Sequence, residues 1–275
     1  MIVCRSAGEI ERLARVNALV ARVLADLKAM VRPGVTTGDL DALAEQRLRE
    51  AGAEPAFKGY HGYPATICAS VNEQVVHGIP NDRPMSDGDI ISIDMGAKLD
   101  GFFGDSAVTV PVGRISAEAE RLLSVTKTAL DRAVATVKAG ARVSDIGAAV
   151  QSYVEAHGFS VVREFVGHGI GTALHEEPQI PNYGTAGRGP RLAEGMALAI
   201  EPMVNAGKPA VKVLGDGWTA VTKDKALSAH FEHTVVVTED GCRVLTLLDD
   251  VAMDAAGPSA GSAESRGGRT AAAAG

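Results

Sequence analysis

The sequence contains only 3 cysteines among its 275 residues, Cys4, Cys68 and Cys242. They form no CxxC pair and no even set, so we predict small buried cysteines in a reduced, cytoplasmic chain rather than a disulfide framework. The sequence has no run of about 18 apolar residues that would span a membrane. The N-terminal stretch also lacks the apolar segment of a signal peptide.

Motifs of several enzyme classes are missing as well. HExxH is absent, which excludes that type of zinc protease, and GxxxxGK[ST] is absent, so GHGIG at residues 167–171 resembles a phosphate-binding loop only loosely. A net charge of −7 provides no basis for DNA binding. With 46% hydrophobic and 22% charged residues, the composition is that of a globular protein with a substantial core.

Apolar periodicity predicts four helices in two pairs. The first helix follows a Ser6–Glu9 capping box and ends before Pro33, and the second runs from about residue 37 to 51. The later pair is expected at about residues 116–139 and 144–157, and strand-rich segments follow each pair. The last part of the chain differs, since 16 of the 21 residues from 255 to 275 are Ala, Gly or Ser. We predict one folded region over residues 1–250 and a disordered tail over residues 251–275.

The two helix–strand regions repeat each other. Gly34, Asp39, Leu40 and Gly52 match residues 140, 145, 146 and 158 with a constant offset of 106. The segment 85–94 matches 192–201, and 105–110 matches 232–237. Two such halves, about 5–112 and 113–248, predict an α+β fold with an internal pseudo-two-fold axis.

An Asp100-Gly101 pair lies between two strand-forming segments and predicts a hairpin. If the turn is centred between Leu99 and Asp100, Asp94 lies directly opposite Asp105. If it is centred on Asp100-Gly101, they are diagonal neighbours. In both registers they share a face, where like charges are destabilising. We therefore predict a cation between them; the alternative is a pair of solvated aspartates on an open sheet face.

The repeat places Glu201 on Asp94 and Glu232 on Asp105. Four converging carboxylates would repel one another, and a pair of divalent cations would neutralise them. One histidine would complete the ligand shell, and the candidates are His168, which lies between two glycines, His175 and His77. We expect structural roles for the other histidines, which are His61, His157, His230 and His233.

At this point the chain resembles the type I methionine aminopeptidases of the short bacterial kind, over roughly residues 5–248. The matching segments, in family order, are GYHGYPATICASVN (59–72), VVHGIP (75–80), DIISIDMGAKLDGFFGDSAVTV (89–110), GHGIGTALHEEPQIPNY (167–183), MALAIEPMV (196–204) and LSAHFEHTVVVT (227–238). The resemblance implies a pita-bread fold and hydrolytic removal of an N-terminal methionine, with a small second residue expected.

The resemblance also implies two divalent metal ions with five protein ligands. Asp105 and Glu232 would be shared by both metals, Asp94 would bind one, and His168 and Glu201 would bind the other. Glu201 would also transfer the proton, His175 would hydrogen-bond the oxyanion, and His77 would contact the scissile-bond nitrogen. The mixed carboxylate and imidazole set suits Co, Mn, Fe or Zn.

By the same resemblance, the methionine pocket consists of Tyr60, Tyr63, Cys68, Leu174 and Trp218. Phe57, Leu174 and His230 depart from the residues common in the family, which affects the expected substrate preference and not the reaction. Asn72 and Ser228 match a monovalent-cation site of the family, although turn or surface roles suit them equally well.

Three alternatives differ in what they require of the sequence. A pita-bread peptidase that cuts before proline usually carries an extra N-terminal domain, and we expect none here. A scaffold derived from the fold should have lost metal ligands, whereas all five positions are filled. A structural metal domain would leave His77 and His175 unexplained. We expect a cytoplasmic monomer that acts on peptide or nascent-chain N-termini, with ribosome contact expected from the family alone.

Overall fold

The computed structural model describes residues 2–248. The predicted tail at residues 251–275 therefore lies outside the described residues. The helices are α1 (Ala7–Met30), α2 (Thr37–Glu50), α3 (Ala117–Ala135) and α4 (Val143–Ala156). Within residues 2–248 no helix is both long enough and apolar enough to cross a membrane.

Helix α1 begins as predicted, because the Ser6 backbone N–H and hydroxyl both donate to the Glu9 carboxylate. The prediction for α3 is wrong at its end, which lies at Ala135 rather than near residue 139. The Thr136 hydroxyl donates to the Ala133 carbonyl, and the N–H of Ala139 donates to the distant Thr238 carbonyl at 3.1 Å. A tertiary contact therefore takes the donor that another helical turn would have used.

The strands are short apart from one long hairpin. They are β1 (Glu54–Pro55), β2 (Ile67–Val71), β3 (Gln74–Val76), β4 (Ile90–Leu99), β5 (Phe102–Pro111), β6 (Ser160–Val161), β7 (Gly167–Gly169), β8 (Glu176–Ile180), β9 (Ala197–Ile200), β10 (Met203–Asn205), β11 (Val211–Val213), β12 (Ala220–Thr222), β13 (Ser228–His230), β14 (His233–Val237) and β15 (Cys242–Val244). All strand pairs among the described residues are antiparallel.

Two of the four sheets position the cleft described below. In one, β4 pairs with β5 along one edge and with β1 and β2 along the other. In the other, the strand order is β15-β14-β9-β7-β8. Strands β5 and β14 meet where the two sheets come together, since the Glu232 N–H donates to the Ala107 carbonyl at 2.9 Å.

The predicted internal repeat is visible in matching hydrogen bonds. The N–H of Gly34 donates to the Met85 carbonyl, and the N–H of Gly140 donates to the Leu192 carbonyl, both at 2.9 Å. In the first turns of α2 and α4, the carboxylates of Asp39 and Asp145 accept the backbone N–H of the residue three positions earlier. The two halves therefore fold with the same local devices, which agrees with the predicted pita-bread architecture.

Each half has its own apolar core. One core packs α1 and α2 against β2, β4 and β5, and includes Leu13, Leu40 and Ile93, all 0% exposed. The other packs α3 and α4 against β9 and β14, and includes Leu122, Ile146 and Leu198, also 0% exposed. The cleft lies between these cores, so its walls rest on well-packed elements from both halves.

Candidate metal centre and substrate cleft

The β4–β5 hairpin fixes the first two carboxylates of the cleft. Its register pairs Asp94 with Ala107 and Gly96 with Asp105, so the turn is centred on Asp100-Gly101. Both turn residues have positive φ, 50° and 79°, as a tight two-residue turn requires. Of the two predicted registers, the diagonal one is therefore correct, and Asp94 and Asp105 share one face.

The second sheet brings the two glutamates to the same place. Glu201 follows the last residue of β9, and Glu232 precedes the first residue of β14, where Ile200 is paired with His233. The Thr234 hydroxyl donates to the Asp105 carbonyl at 2.8 Å, so β14 is tied directly to the hairpin. The four acidic side chains selected by the repeat therefore face one another across the pseudo-two-fold axis.

His168 lies at the centre of β7 and completes this cluster. Its Nδ1 donates to the Gly169 carbonyl at 2.9 Å, which leaves the lone pair on Nε2. Nε2 is 3.5 Å from Glu201 Oε1 and 3.9 Å from Asp105 Oδ2. A Cβ at Gly167 would overlap the Ala199 carbonyl oxygen, so the flanking glycine is required for β7 to approach β9 this closely.

The electrostatics of the cluster favour a bound cation. Burial raises the pKa of Asp94 to about 7. Burial and the neighbouring carboxylates raise the pKa values of Asp105, Glu201 and Glu232 well above their ordinary range. Burial lowers the pKa of His168 to about 4, so this imidazole is neutral near pH 7. Without a cation, several of these carboxyl groups would have to remain protonated at neutral pH.

Three buried oxygens in the cluster, Asp94 Oδ1, Asp105 Oδ1 and Glu232 Oε1, have no hydrogen-bond partner within residues 2–248. Ligand atoms of Asp105, His168 and Glu232 all lie within 4.8 Å of one another. Buried carboxylates without donors, together with a neutral imidazole, are a donor set suited to a divalent transition metal. The residues present therefore fit a metal centre.

The carboxylate cluster forms the floor of a cleft of about 240 Å³. All twelve side chains predicted for the site line it. They are His77, His175, Tyr60, Tyr63, Cys68, Leu174 and Trp218, with the metal-ligand candidates Asp94, Asp105, His168, Glu201 and Glu232. The fold thus brings residues that are distant in the sequence together around one cleft.

A hydrogen bond and a ring contact place His175 beside the carboxylate cluster. The Tyr60 hydroxyl is 2.8 Å from His175 Nδ1, and the His168 and His175 ring centroids are 4.3 Å apart. His77 lies across the cleft with its ring 5.3 Å from Phe165 in an edge arrangement. Burial, with His175 nearby, lowers the pKa of His77 to about 4, so this ring is also neutral near pH 7.

One wall of the cleft is apolar. Tyr63 and Trp218 meet edge to face at 5.2 Å, and the side chains of Cys68 and Leu174 are 5% and 2% exposed. The Tyr63 hydroxyl is 2.9 Å from the Ile67 and Gly78 carbonyl oxygens, so its polar end is satisfied away from the cleft. This wall can accept a flexible apolar side chain.

Sequence reasoning missed several cleft residues. His61, expected to be structural, lines the cleft, together with Phe165 and Met203. The position of Phe165, two residues before Gly167, could have indicated a cleft role. His230, another residue assigned a structural role, has Nε2 3.6 Å from Glu201 Oε2, and neither ring nitrogen has a hydrogen-bond partner within the described residues.

The predicted monovalent-cation residues lie side by side, away from the carboxylate cluster. The N–H of Ser228 donates to the Asn72 carbonyl at 2.9 Å, and the Ser228 hydroxyl donates to Asn205 Oδ1 at 2.9 Å. The Asn72 amide donates to Asp89 Oδ1 at 2.8 Å. These contacts account for both side chains as structural groups, and a cation site there stays a prediction.

Known proteins match nearly the whole described region. The model of metallopeptidase family M24 matches residues 11–239. A Bacillus subtilis protein named methionine aminopeptidase 1 is 52% identical over 246 residues, which cover 90% of this chain and 99% of that protein. The crystal structure of methionine aminopeptidase from Rickettsia prowazekii has a TM-score of 0.89 and 43% identity, and the match covers 90% of this chain and 100% of that chain. A Thermotoga maritima methionine aminopeptidase structure has a TM-score of 0.88 and 45% identity, with 90% and 99% covered.

Proposed function

Because the chain belongs to metallopeptidase family M24, we propose that it hydrolyses the peptide bond after an N-terminal methionine. The observation that carries this proposal is the convergence of Asp94, Asp105, His168, Glu201 and Glu232 on the floor of a cleft with an apolar wall. The relatives named methionine aminopeptidase support the choice of substrate, since they cover the whole of that cleft.

We propose that these five side chains hold two divalent metal ions, with Asp105 and Glu232 shared between them. The orphaned oxygens of both residues support that assignment, as do their positions on β5 and just before β14, the strands that meet between the sheets. Co, Mn, Fe and Zn all suit such a donor set. When bound, the metals would supply Lewis acidity and lower the pKa of the attacking water.

The remaining chemistry falls to the chain itself. Glu201 would accept the proton of the attacking water at its carboxylate and return it to the leaving amine. His175 would donate from Nε2 to the oxyanion, and the Tyr60 hydroxyl beside Nδ1 can keep the proton on Nε2 by donating to Nδ1. His77 would contact the scissile-bond nitrogen from the opposite wall.

Restriction to N-terminal methionine would come from both ends of the cleft. The free α-amine would bind on the Asp94 side, and the methionine side chain would enter the wall of Tyr60, Tyr63, Cys68 and Leu174, with Trp218 at its edge. We propose a preference for a small second residue. Phe57, which also lines the cleft, and Leu174 would adjust that preference because they depart from the common family residues.

We further propose that residues 1–250 act as one catalytic domain with halves at about 5–112 and 113–248. The substrates would be peptide and nascent-chain N-termini in the cytoplasm, the enzyme would act as a monomer, and ribosome contact would bring it to nascent chains. The matching hydrogen bonds of the two halves support the division. A monovalent cation near Asn72 and Ser228 would join β3, β13 and the β2–β3 turn.

The decisive experiment measures free methionine released from a Met-Ala-Ser peptide by metal-stripped protein, with and without added Mn²⁺ or Co²⁺. Asp94→Asn should abolish release, while Asp100→Asn, on the exposed turn of the same hairpin, should retain it. His175→Ala should lower kcat by about 10²–10³ if it is an oxyanion donor.

Two outcomes would overturn the proposal. Absence of release with every metal, from protein shown to be folded, would favour a scaffold that binds without catalysis. Preferential release of the first residue from an Ala-Pro-Ser peptide would instead identify a proline-specific peptidase.

A further inference from the structure

An ion pair between a buried guanidinium and a partly buried carboxylate connects the N-terminal segment to the loop that carries His175. Arg5 precedes α1 and is 8% exposed, and its guanidinium donates to Glu176 Oε2 in a close contact. The Arg5 backbone N–H donates to the Gly195 carbonyl at 2.8 Å, which anchors the segment on the second half of the molecule. Arg5 and Glu176 are separated by 171 residues in sequence, so only the tertiary fold brings them together.

The second oxygen of Glu176 organises the loop at residues 171–176. Oε1 accepts the N–H of Thr172 at 2.8 Å, the N–H of Ala173 at 3.0 Å and the Thr172 hydroxyl at 3.2 Å. One carboxylate therefore closes the loop on itself, while its other oxygen fixes the loop to Arg5. Burial raises the pKa of Glu176, but the hydrogen bonds from Ala173 and Arg5 outweigh this and hold the pKa below its ordinary value.

The loop backbone also lies directly against the guanidinium. A Cβ at Gly171 would overlap Arg5 Nη2, so this position accepts only a glycine while Arg5 stays in place. The Gly171 carbonyl accepts the N–H of Phe103 at 2.8 Å, which ties the same point to β5. The position of the loop is therefore set from three directions.

This loop presents Leu174 and His175 to the cleft. The Glu176 end of the loop pairs with Gly169, which is next to His168. Arg5, which does not line the cleft, contacts the same glutamate. An error of about 1 Å in the position of a catalytic donor can cost about 100-fold in rate. A partly buried charge pair with several hydrogen bonds is well suited to prevent such an error.

We propose that Arg5 and Glu176 are positioning residues that hold the 171–176 loop so that His175 meets the oxyanion. The inference rests on the proposed function, because it assigns His175 to the reaction. Neither positioning residue touches the substrate; both act through the loop.

The test uses the full-length protein and two readouts. Arg5→Met removes the charge but keeps the length of the side chain, and Arg5→Lys should restore part of the activity. Arg15→Met is the matched control, because it breaks the exposed Arg15–Asp100 pair, in which the side chains are 62% and 56% exposed. We expect kcat to fall about 10–100-fold in Arg5→Met and to stay within twofold in Arg15→Met.

The first readout is a double-mutant cycle with His175→Ala. If Arg5 acts through His175, adding Arg5→Met to His175→Ala should lower kcat by less than twofold further. A full additional loss of 10-fold or more would overturn the proposal, since Arg5 would then act by another route.

The second readout is hydrogen exchange of the Thr172 and Ala173 amides, which requires no catalysis. Their exchange rates should rise at least tenfold in Arg5→Met and stay unchanged in Arg15→Met. Unchanged exchange in Arg5→Met would overturn the proposal even in an active enzyme. By contrast, absence of metal-dependent methionine release by the unmodified protein would refute the proposed function, so the two failures are distinct.

Discussion

Raising the pH of the metal-stripped protein from 7 to 8 should lower its free energy of unfolding. Burial raises the pKa of Asp94 to about 7, and burial together with repulsion from neighbouring carboxylates raises the pKa values of Asp105, Glu201 and Glu232 well above their ordinary range. A carboxyl group whose pKa is higher in the folded state holds a proton that the unfolded chain has already lost. Its stabilising contribution is lost as the pH rises from its unfolded to its folded pKa.

Below pH 7, histidines with lowered pKa values oppose the loss of stability that the carboxyl groups cause. Burial lowers the pKa values of five of them, so below about pH 6.5 the unfolded chain binds protons that the folded chain does not. These are His77, His168, His175, His230 and His233. Between pH 7 and 8 the unfolded histidines lose their remaining protons, and together they offset the carboxyl effect by roughly 0.7 kcal/mol.

Each proton held only by the folded state changes the free energy of unfolding by about 1.4 kcal/mol per pH unit. After the histidine offset, one retained proton in the cluster predicts a net loss of about 0.6 kcal/mol between pH 7 and 8, and two predict about 2 kcal/mol. A loss of about 2 kcal/mol would be a substantial part of the roughly 5–15 kcal/mol typical of a folded protein.

Urea unfolding of chelator-treated protein at pH 7.0, 7.5 and 8.0 measures this slope. Saturating Mn²⁺ should abolish it, because bound ligands stay ionised, and should add about 2.7 kcal/mol at a free concentration 100 times Kd. Asp105→Asn should flatten the slope, because burial and the neighbouring carboxylates raise the pKa of Asp105 well above its ordinary range, and Asp100→Asn on the exposed turn serves as the control. A metal-free stability that is constant or rises from pH 7 to 8 would refute this electrostatic account of the cluster.

Three further substitutions test local packing and backbone geometry by urea unfolding. Gly147→Ala should destabilise the protein by about 1–3 kcal/mol, because the new Cβ would lie 2.6 Å from the Tyr183 carbonyl oxygen. The control Gly8→Ala, whose new Cβ would have no atom of the described residues within 4 Å, should be neutral or stabilising. Equal effects of the two substitutions would contradict the predicted overlap at Gly147. Gly101→Ala should cost about 1 kcal/mol, because φ at this turn residue is 79°, and no loss would argue against the observed turn. His230→Leu should stabilise the metal-free protein by about 1 kcal/mol, since it removes two buried ring nitrogens that have no hydrogen-bond partner within residues 2–248, and a clear loss of stability would show that the imidazole has a partner.

The helices could be predicted well from the sequence because their signals are local. The capping boxes at Ser6 and Asp39 place the starts of α1 and α2 where the pattern indicated. The end of α3 was predicted wrongly because the Ala139 N–H is taken by Thr238, about 100 residues away in the chain. A residue whose local sequence favours a helix can leave the helix when its N–H donates to a carbonyl that is distant in the sequence.

Only some residues of the candidate site could be predicted from the sequence. The repeat selected Asp94, Asp105, Glu201 and Glu232 because both halves use the same strand positions, and resemblance added His168. No local pattern reveals that Arg5 contacts Glu176, or that Nε2 of His230 lies beside Glu201. Such contacts depend on how the two halves pack against each other.

The sequence by itself determined the elements with short-range causes, which are the helix caps, the Asp100-Gly101 turn and the doubled order of helices and strands. Tertiary structure decided the hairpin register between the two alternatives and brought four carboxylates and one imidazole around a single cleft. It also decided their protonation, since the raised pKa values come from burial and from charges on other strands. Periodicity and turn chemistry act over a few residues, whereas desolvation and charge repulsion depend on which distant residues the fold makes neighbours.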